Sequence, residues 1–380
     1  IYASTMYMLT QIMRIGTILY LLALTIHSIF GWDIVVIIII TGVAILIYSM
    51  LGGIQAVVWT DAIQGLVLIT GALVCAGYIL FNMPEGPGQM FQIASENNKF
   101  SLGSFGLDLS KSTFWVVMIY GIFINLQNYG IDQNYVQRYV ASRTDREAKR
   151  SAFSGGMLYI PVSLLFLFIG TALFAFYSSG AADLPARLQD ATQSDAVFPY
   201  FIVNELPVGI TGLLIASIFA AGMSTISTSY NSSATVFLTD YYQKYFKRTA
   251  SDKESMRVLY ISSVIISTVG ILVAIMMINV ESALDAWWKL SSIFSGGMLG
   301  LFLLGVFFRQ KNVIGAIIGV IAGLLVIIWL SLSNFFLGPD ALGNQFHSYL
   351  TIVLGTTTIF LVGFLVSLIY KGNGKKSVKE

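Results

Sequence analysis

AAGMSTISTSYNSS, residues 220–233, lies in one of the most apolar parts of an apolar chain. Yet Ser224, Thr225, Ser227, Thr228, Ser229, Ser232 and Ser233 put seven Ser and Thr side chains into ten consecutive positions. Whether this stretch belongs to a soluble domain or to a membrane helix decides the fold. The 380-residue chain answers through its composition: 56% of it is hydrophobic and only 11% charged, far from the average of soluble domains. Long apolar runs recur from end to end, each near the ~20 residues that cross a bilayer as a helix. The ~10-residue alternation of an outer-membrane barrel strand is absent. The chain therefore reads as an all-α polytopic membrane protein.

Ten crossings are predicted: 2–29, 34–51, 54–81, 113–140, 150–177, 209–241, 256–278, 283–308, 312–334 and 348–370. The turn-rich stretches NMPEGPGQ (82–89) and FLGPDALGNQ (336–345) separate some of them, with the Pro and Gly of exposed connections. Charge placement supports the map. Arg138, Arg143, Arg146, Lys149 and Arg150 fall in one connection, and Lys244, Lys247, Arg248, Lys253 and Arg257 in another. Arg309, Lys311, Lys371, Lys375, Lys376 and Lys379 complete sixteen of the 21 basic residues, all on alternate connections and hence on one side. The positive-inside rule makes that side cytoplasmic, with the C-terminus inside and the loops 82–112 and 178–208 outside. The chain opens with Ile1 already inside a hydrophobic run, without an initiator Met or a charged leader, and reads as a fragment whose start lies upstream.

Arg14, Lys289, Asp61 and Asp132 fall within the apolar segments. Charges at membrane depth are costly unless paired or wetted, so each is a functional candidate. Lys289 follows Trp287 and Trp288 near a helix end, where it either snorkels or serves a site. Asp132 reaches either water or a neighbour. Arg14 lies roughly 13 residues, hence ~20 Å, into its helix, near the bilayer middle.

The hydroxyl stretch has an ordinary reading, in which Ser and Thr bond back to carbonyls of their own helix and small residues allow close packing. Its density asks for more. Ser224, Ser227 and Thr228 share one helical face, overlapped by Thr225 and Ser229. Hydroxyl oxygens and nearby carbonyls make a weakly charged cage suited to a sodium ion, whereas calcium would call for more carboxylates. Asp61 would balance the charge. Elsewhere, FINLQNYGIDQNYVQRYV (123–140) interrupts an apolar helix with Asn125, Gln127, Asn128, Gly130, Asp132, Gln133 and Asn134. Such an interruption at the midplane is either a polar face buried against other helices or a transporter's substrate site.

YSMLGGIQAVVWTDAIQG (48–65), NYVQRYVASRTDREAKR (134–150), GLLIASIFAAGMSTISTS (212–229) and GGMLGLFLLGVFF (296–308), in this order, resemble the sodium/solute symporter family, which includes the sodium/glucose cotransporters. Their spread covers nearly the whole chain, and the likeness in motif is greatest to the bacterial sodium/sialic acid symporters. The resemblance implies a LeuT-like fold of two inverted five-helix repeats. Residues 1–81 would be the last three helices of the first repeat, 113–308 the second repeat and 312–370 two additional helices, with a cytoplasmic tail at 371–380. The first core helices, which normally complete the main sodium site and the substrate pocket, would precede the chain.

Carried over by motif, the resemblance implies a main sodium site at Ala221 (through its carbonyl), Ser224 and Thr225. A second, found in only some members, would use Asp61, Ser224, Ser227 and Thr228. Asn125 falls where sugar transporters bind substrate, and Asn128 where they carry a tyrosine gate. Arg14, in QIMRIGTILYLLAL (11–24), matches an arginine that sialic acid symporters use to hold the substrate carboxylate. A planar guanidinium suits that task through two parallel hydrogen bonds. The opposing reading pairs Arg14 with a protein group such as Asp132.

The expected protein is a sodium-coupled symporter of a small organic solute, a sugar acid such as sialic acid, in the bacterial inner membrane. Its partners would be sodium, the solute and the bilayer, with no cofactor and no nucleic acid. A neutral sugar or polyol symporter, a symporter-like sensor and a channel are the alternatives. An enzyme is disfavoured: Cys75 is the single cysteine and His27 and His347 the only histidines, too few for most nucleophile–base or metal chemistry.

Overall fold

The computed structural model describes residues 1–190, 193–280, 282–307, 313–337 and 344–369, without the side chains of 52–58, 60, 194 and 334–337. The expected tail at 371–380, Arg309, Lys311, Phe308 and most of the turn at 336–345 lie outside the described residues.

Twelve α-helices are described: α1 (Tyr2–Phe30), α2 (Ile34–Phe81), α3 (Pro87–Glu96), α4 (Phe114–Ile131), α5 (Gln133–Val140), α6 (Asp145–Ser178), α7 (Ser194–Asn204), α8 (Val208–Phe237), α9 (Asp252–Met276), α10 (Ala283–Phe307), α11 (Val313–Leu337) and α12 (Leu350–Ile369). Ten segments among the described residues are long and apolar enough to cross a membrane, matching the ten expected. Local chemistry sets several starts. Asp33 caps α2 by accepting from the backbone N–H groups of Val35 (2.9 Å) and Val36 (3.0 Å). Ser251 and Glu254 form a reciprocal capping box at the head of α9.

Three features differ from the sequence reading. The crossings expected at 34–51 and 54–81 run on as one 48-residue helix, α2. At 1.5 Å per residue that is ~72 Å, over twice a ~30 Å hydrocarbon core, so it holds two spans, Ile34–Leu51 and Asp61–Phe81. The two long connections carry helices of their own, α3 and α7. The interruption expected across 125–134 is confined to Asp132. It has extended backbone (φ −69°, ψ 122°), and α4 stays helical up to Ile131. The 18 residues of α4 span ~27 Å, so the break comes at the end of a crossing rather than at its middle.

Contacts divide the chain into two compact units. Residues 11–101 and 137–287 make one, in which α2 packs on α6, α8 and α9. Its apolar core gathers Cys75, Ile79, Met90, Phe176, Phe201 and Ile202. Close helix approach depends on glycine: a Cβ on Gly222 would stand 2.5 Å from Leu22 Cδ1, and one on Gly270 2.5 Å from Ile15 Cγ2. The other unit comprises residues 1–10, 102–136 and 288–380, in which α11 pairs with α12 and α12 packs on α4. Tyr120, Trp288 and Tyr349 form a mutual aromatic cluster there, with the Tyr120 ring centroid 5.6 Å from Trp288 and 4.8 Å from Tyr349.

Polarity is distributed as lipid dictates. Leu66, at 68% exposed, is typical of the outward aliphatic side chains, whereas Ser227, Ser229, Ser232 and Ser233 are fully buried. Helices in hydrocarbon gain nothing by hiding leucine from an equally apolar solvent; small and polar residues draw them together.

Candidate functional site

The site is built on α8. Its small residues let it lie against α2 and α9, and polar contacts mark both interfaces. Ser217 Oγ, 2.7 Å from Leu213 O of its own helix, also lies 3.0 Å from Val67 O of α2, and the hydroxyls of Tyr230 and Ser267 of α9 are 2.9 Å apart. Between these contacts the hydroxyl stretch converges on two carbonyls. Ser224 Oγ and Thr225 Oγ1 both donate to Ala221 O at 3.0 Å. One turn on, Ser227 Oγ (3.1 Å) and Thr228 Oγ1 (2.8 Å) donate to Ser224 O. Each hydroxyl thus bonds back to its own helix, as serines in membrane helices ordinarily do. With its proton committed inward, each hydroxyl oxygen keeps lone pairs for an electrophile.

Asp61, on α2, joins the second group. Its Oδ2 lies 3.4 Å from Thr228 Oγ1 and 2.8 Å from Arg138 Nη2. Its Oδ1 is buried and has no hydrogen-bond partner among the described residues. The pair is uneven: the Asp61 side chain is 14% exposed and that of Arg138, at the end of α5, 49%. All four residues expected at the second site are therefore linked, and the three expected at the first meet at one carbonyl. Ser229, expected to share their face, makes no hydrogen bond to this group: among the described residues its hydroxyl and that of Ser233 are buried without hydrogen-bond partners.

The other candidates are scattered between the two units. Arg14 is half-buried, with its guanidinium carbon 5.3 Å from the centre of the Trp287 ring. That geometry is a cation–π contact. Asp132 is buried and accepts from Tyr7 Oη at 3.3 Å and from the backbone N–H of Asn134 at 2.8 Å, so it caps α5. Asn125 is exposed and donates its amide back to Gly121 O at 2.8 Å. Asn128 is half-buried on the same helix, and Lys289 is exposed near the start of α10.

Two residues escaped the sequence reading. Arg138 counted only as a topology charge, although an intramembrane Asp61 in need of a cation was the signal for it. Gln127, buried on α4 with an unpartnered Oε1, was one of several polar residues there with nothing to single it out. Among the described residues no three His, Cys, Asp or Glu side chains converge, so the donors of this site are hydroxyls, carbonyls and one carboxylate.

The profile of the sodium:solute symporter family matches residues 1–323. The sodium/sialic acid symporter NanT of Aliivibrio fischeri is 32% identical over 380 residues, covering 98% of this chain and 72% of that protein. The sodium/sialic acid symporter SiaT of Proteus mirabilis is 31% identical over 373 residues, covering 97% and 72%. A solved substrate-bound, outward-open structure of a Na⁺-coupled sialic acid symporter, described as revealing a novel Na⁺ site, matches with a TM-score of 0.85 and 30% identity. The match covers 97% of this chain and 74% of that one.

Proposed function

The chain belongs to the sodium:solute symporter family, and from that premise we propose that it imports a small sugar acid together with sodium by alternating access. It is an integral membrane protein with the all-helical, LeuT-like fold of its solved relative. The observation that carries the reading is the convergence of the Ala221 carbonyl with the Ser224 and Thr225 hydroxyls, one turn from the group around Asp61.

These donors suit sodium. Neutral oxygens and one carboxylate hold a monovalent ion strongly enough to bind and weakly enough to let go, whereas calcium sites gather more charge. Ala221, Ser224 and Thr225 form the first site, and Asp61, Ser224, Ser227 and Thr228 the second. Two ions per cycle would double the electrical drive of ~2.3 kcal/mol per charge per 100 mV. Residues 1–81 belong to the first inverted repeat, 113–308 to the second and 312–370 to two additional helices. The C-terminus is cytoplasmic, because the basic connections fall on its side. The protein works without an organic cofactor and without catalytic chemistry. Sodium stabilises the state in which the pocket is formed, so the solute binds better when sodium is present.

Arg14 is the clamp for the solute carboxylate, since a guanidinium in a membrane helix can repay its desolvation by binding an anion. Asn125 adds a polar contact and Asn128 lies at the inner gate. A neutral sugar or polyol is the second reading, favoured by the stacking of Arg14 on Trp287, which gives the guanidinium a partner within the protein.

The test is uptake of labelled sialic acid, glucose and a polyol into proteoliposomes, with and without an inward sodium gradient. Sodium-driven accumulation of the acid alone is expected, falling at least ~30-fold in Arg14→Ala, because losing one partner of a buried charge pair costs ~2–5 kcal/mol. Accumulation of a neutral sugar that survives the substitution would reduce Arg14 to a structural charge.

A further inference from the structure

We propose that Arg138 is the built-in competitor of the coupling cation at Asp61: guanidinium and ion take turns at one carboxylate. This rests on the reading of Asp61 and Thr228 as a cation site.

The geometry supplies the argument. Arg138 Nη2 holds Asp61 Oδ2 at 2.8 Å, and Thr228 Oγ1 stands 3.4 Å from that same oxygen. Thr228 gives its single proton to the shorter bond, 2.8 Å to Ser224 O, and so faces the carboxylate with a lone pair. Two oxygens 3.4 Å apart, each ~2.4 Å from an ion of calcium-like size, subtend about 90° at it, the angle between neighbouring ligands. The oxygen that the guanidinium occupies is therefore the one an ion would share with Thr228. Oδ1, buried and without a hydrogen-bond partner, leaves the carboxylate a second binding edge.

Charge makes the two occupants exclusive. One carboxylate balances one cation, and a guanidinium beside a bound ion would leave the pocket net positive at low dielectric. A carboxylate with neither would be a buried bare charge. Exchange avoids both states. Arg138 can take part because about half of its side chain, 49%, is exposed rather than packed against other helices. It lies in the last turn of α5, the eight-residue helix after the Asp132 break, so the exchange ties α5 to α2 without the ion and releases it when the ion binds.

The experiment uses the reconstituted protein, three single variants and one double variant. Arg138→Gln is expected to lower the half-saturating sodium concentration for uptake by roughly fivefold, the factor a half-exposed ion pair supports. Arg138→Lys should keep it near the parent value. In Asp61→Asn the effect of Arg138→Gln should vanish. An unchanged or raised half-saturation in a folded Arg138→Gln protein overturns the competition. The unsubstituted protein gives a readout independent of variant folding: sodium, but not choline, should speed phenylglyoxal modification of Arg138, read by mass spectrometry. Equal rates, or protection by sodium, overturn it as well. If Asp61→Asn alone leaves sodium dependence intact, the cation site itself fails, which is a different result from a failed exchange.

Discussion

Asp61 and Asp132 are both acidic residues set among apolar helices, and the protein uses them in opposite ways. Asp132 is enclosed: Tyr7 and the Asn134 backbone N–H donate to it, and it starts a helix. Asp61 faces a cation on one oxygen and has no hydrogen-bond partner on the other, beside hydroxyls already turned toward carbonyls. The first arrangement fixes backbone, because a carboxylate that accepts from the second N–H of α5 sets where that helix starts. The second is left open for exchange, because its partner is charged, long and half exposed. A carboxylate in a membrane protein is thus read from its partners rather than from its depth.

The largest expected effect tests the structural half of that contrast. Asp132→Ala leaves the Tyr7 hydroxyl and the Asn134 N–H without this acceptor and should cost roughly 1–3 kcal/mol of stability. Thermal unfolding in detergent would register it, while the half-saturating sodium of the folded fraction stays put. A shifted sodium dependence at unchanged stability would erase the distinction. Next comes Asp61→Asn, which keeps the shape and removes the charge. Sodium titration of uptake should show a half-saturation about tenfold higher, ~1.4 kcal/mol, and a Hill coefficient reduced toward one. Unfolding temperature should hardly move. The smallest effect is that of Tyr7→Phe. Its hydrogen bond to Asp132 is long, at 3.3 Å, so a loss of ~0.5–1 kcal/mol is expected in the same unfolding assay. A change in sodium affinity in that variant would instead bring Asp132 into the transport cycle.

Much of this was legible along the chain. Hydropathy runs located ten crossings, because a membrane span is a local property of about twenty residues. Helical spacing located the face of Ser224, Ser227 and Thr228. Asn125 was legible as a polar residue but not as one whose amide bonds back to Gly121. The break at Asp132 was sensed but smeared over ten positions, since Asn and Gln within a helix look from sequence much like residues that interrupt it.

What the sequence determined by itself is whatever repeats or accumulates over a few turns of helix: membrane residence, the number of spans and a hydroxyl-rich face on α8. What only the tertiary structure decided is which groups meet. Arg138 and Asp61 are 77 residues apart, and no local rule pairs them. Nor does any local rule bring Thr228 on α8 within 3.4 Å of a carboxylate on α2, 167 residues earlier. Those outcomes follow from how α2, α8 and α9 pack, where small residues permit close approach and each buried polar group must find what its neighbours offer.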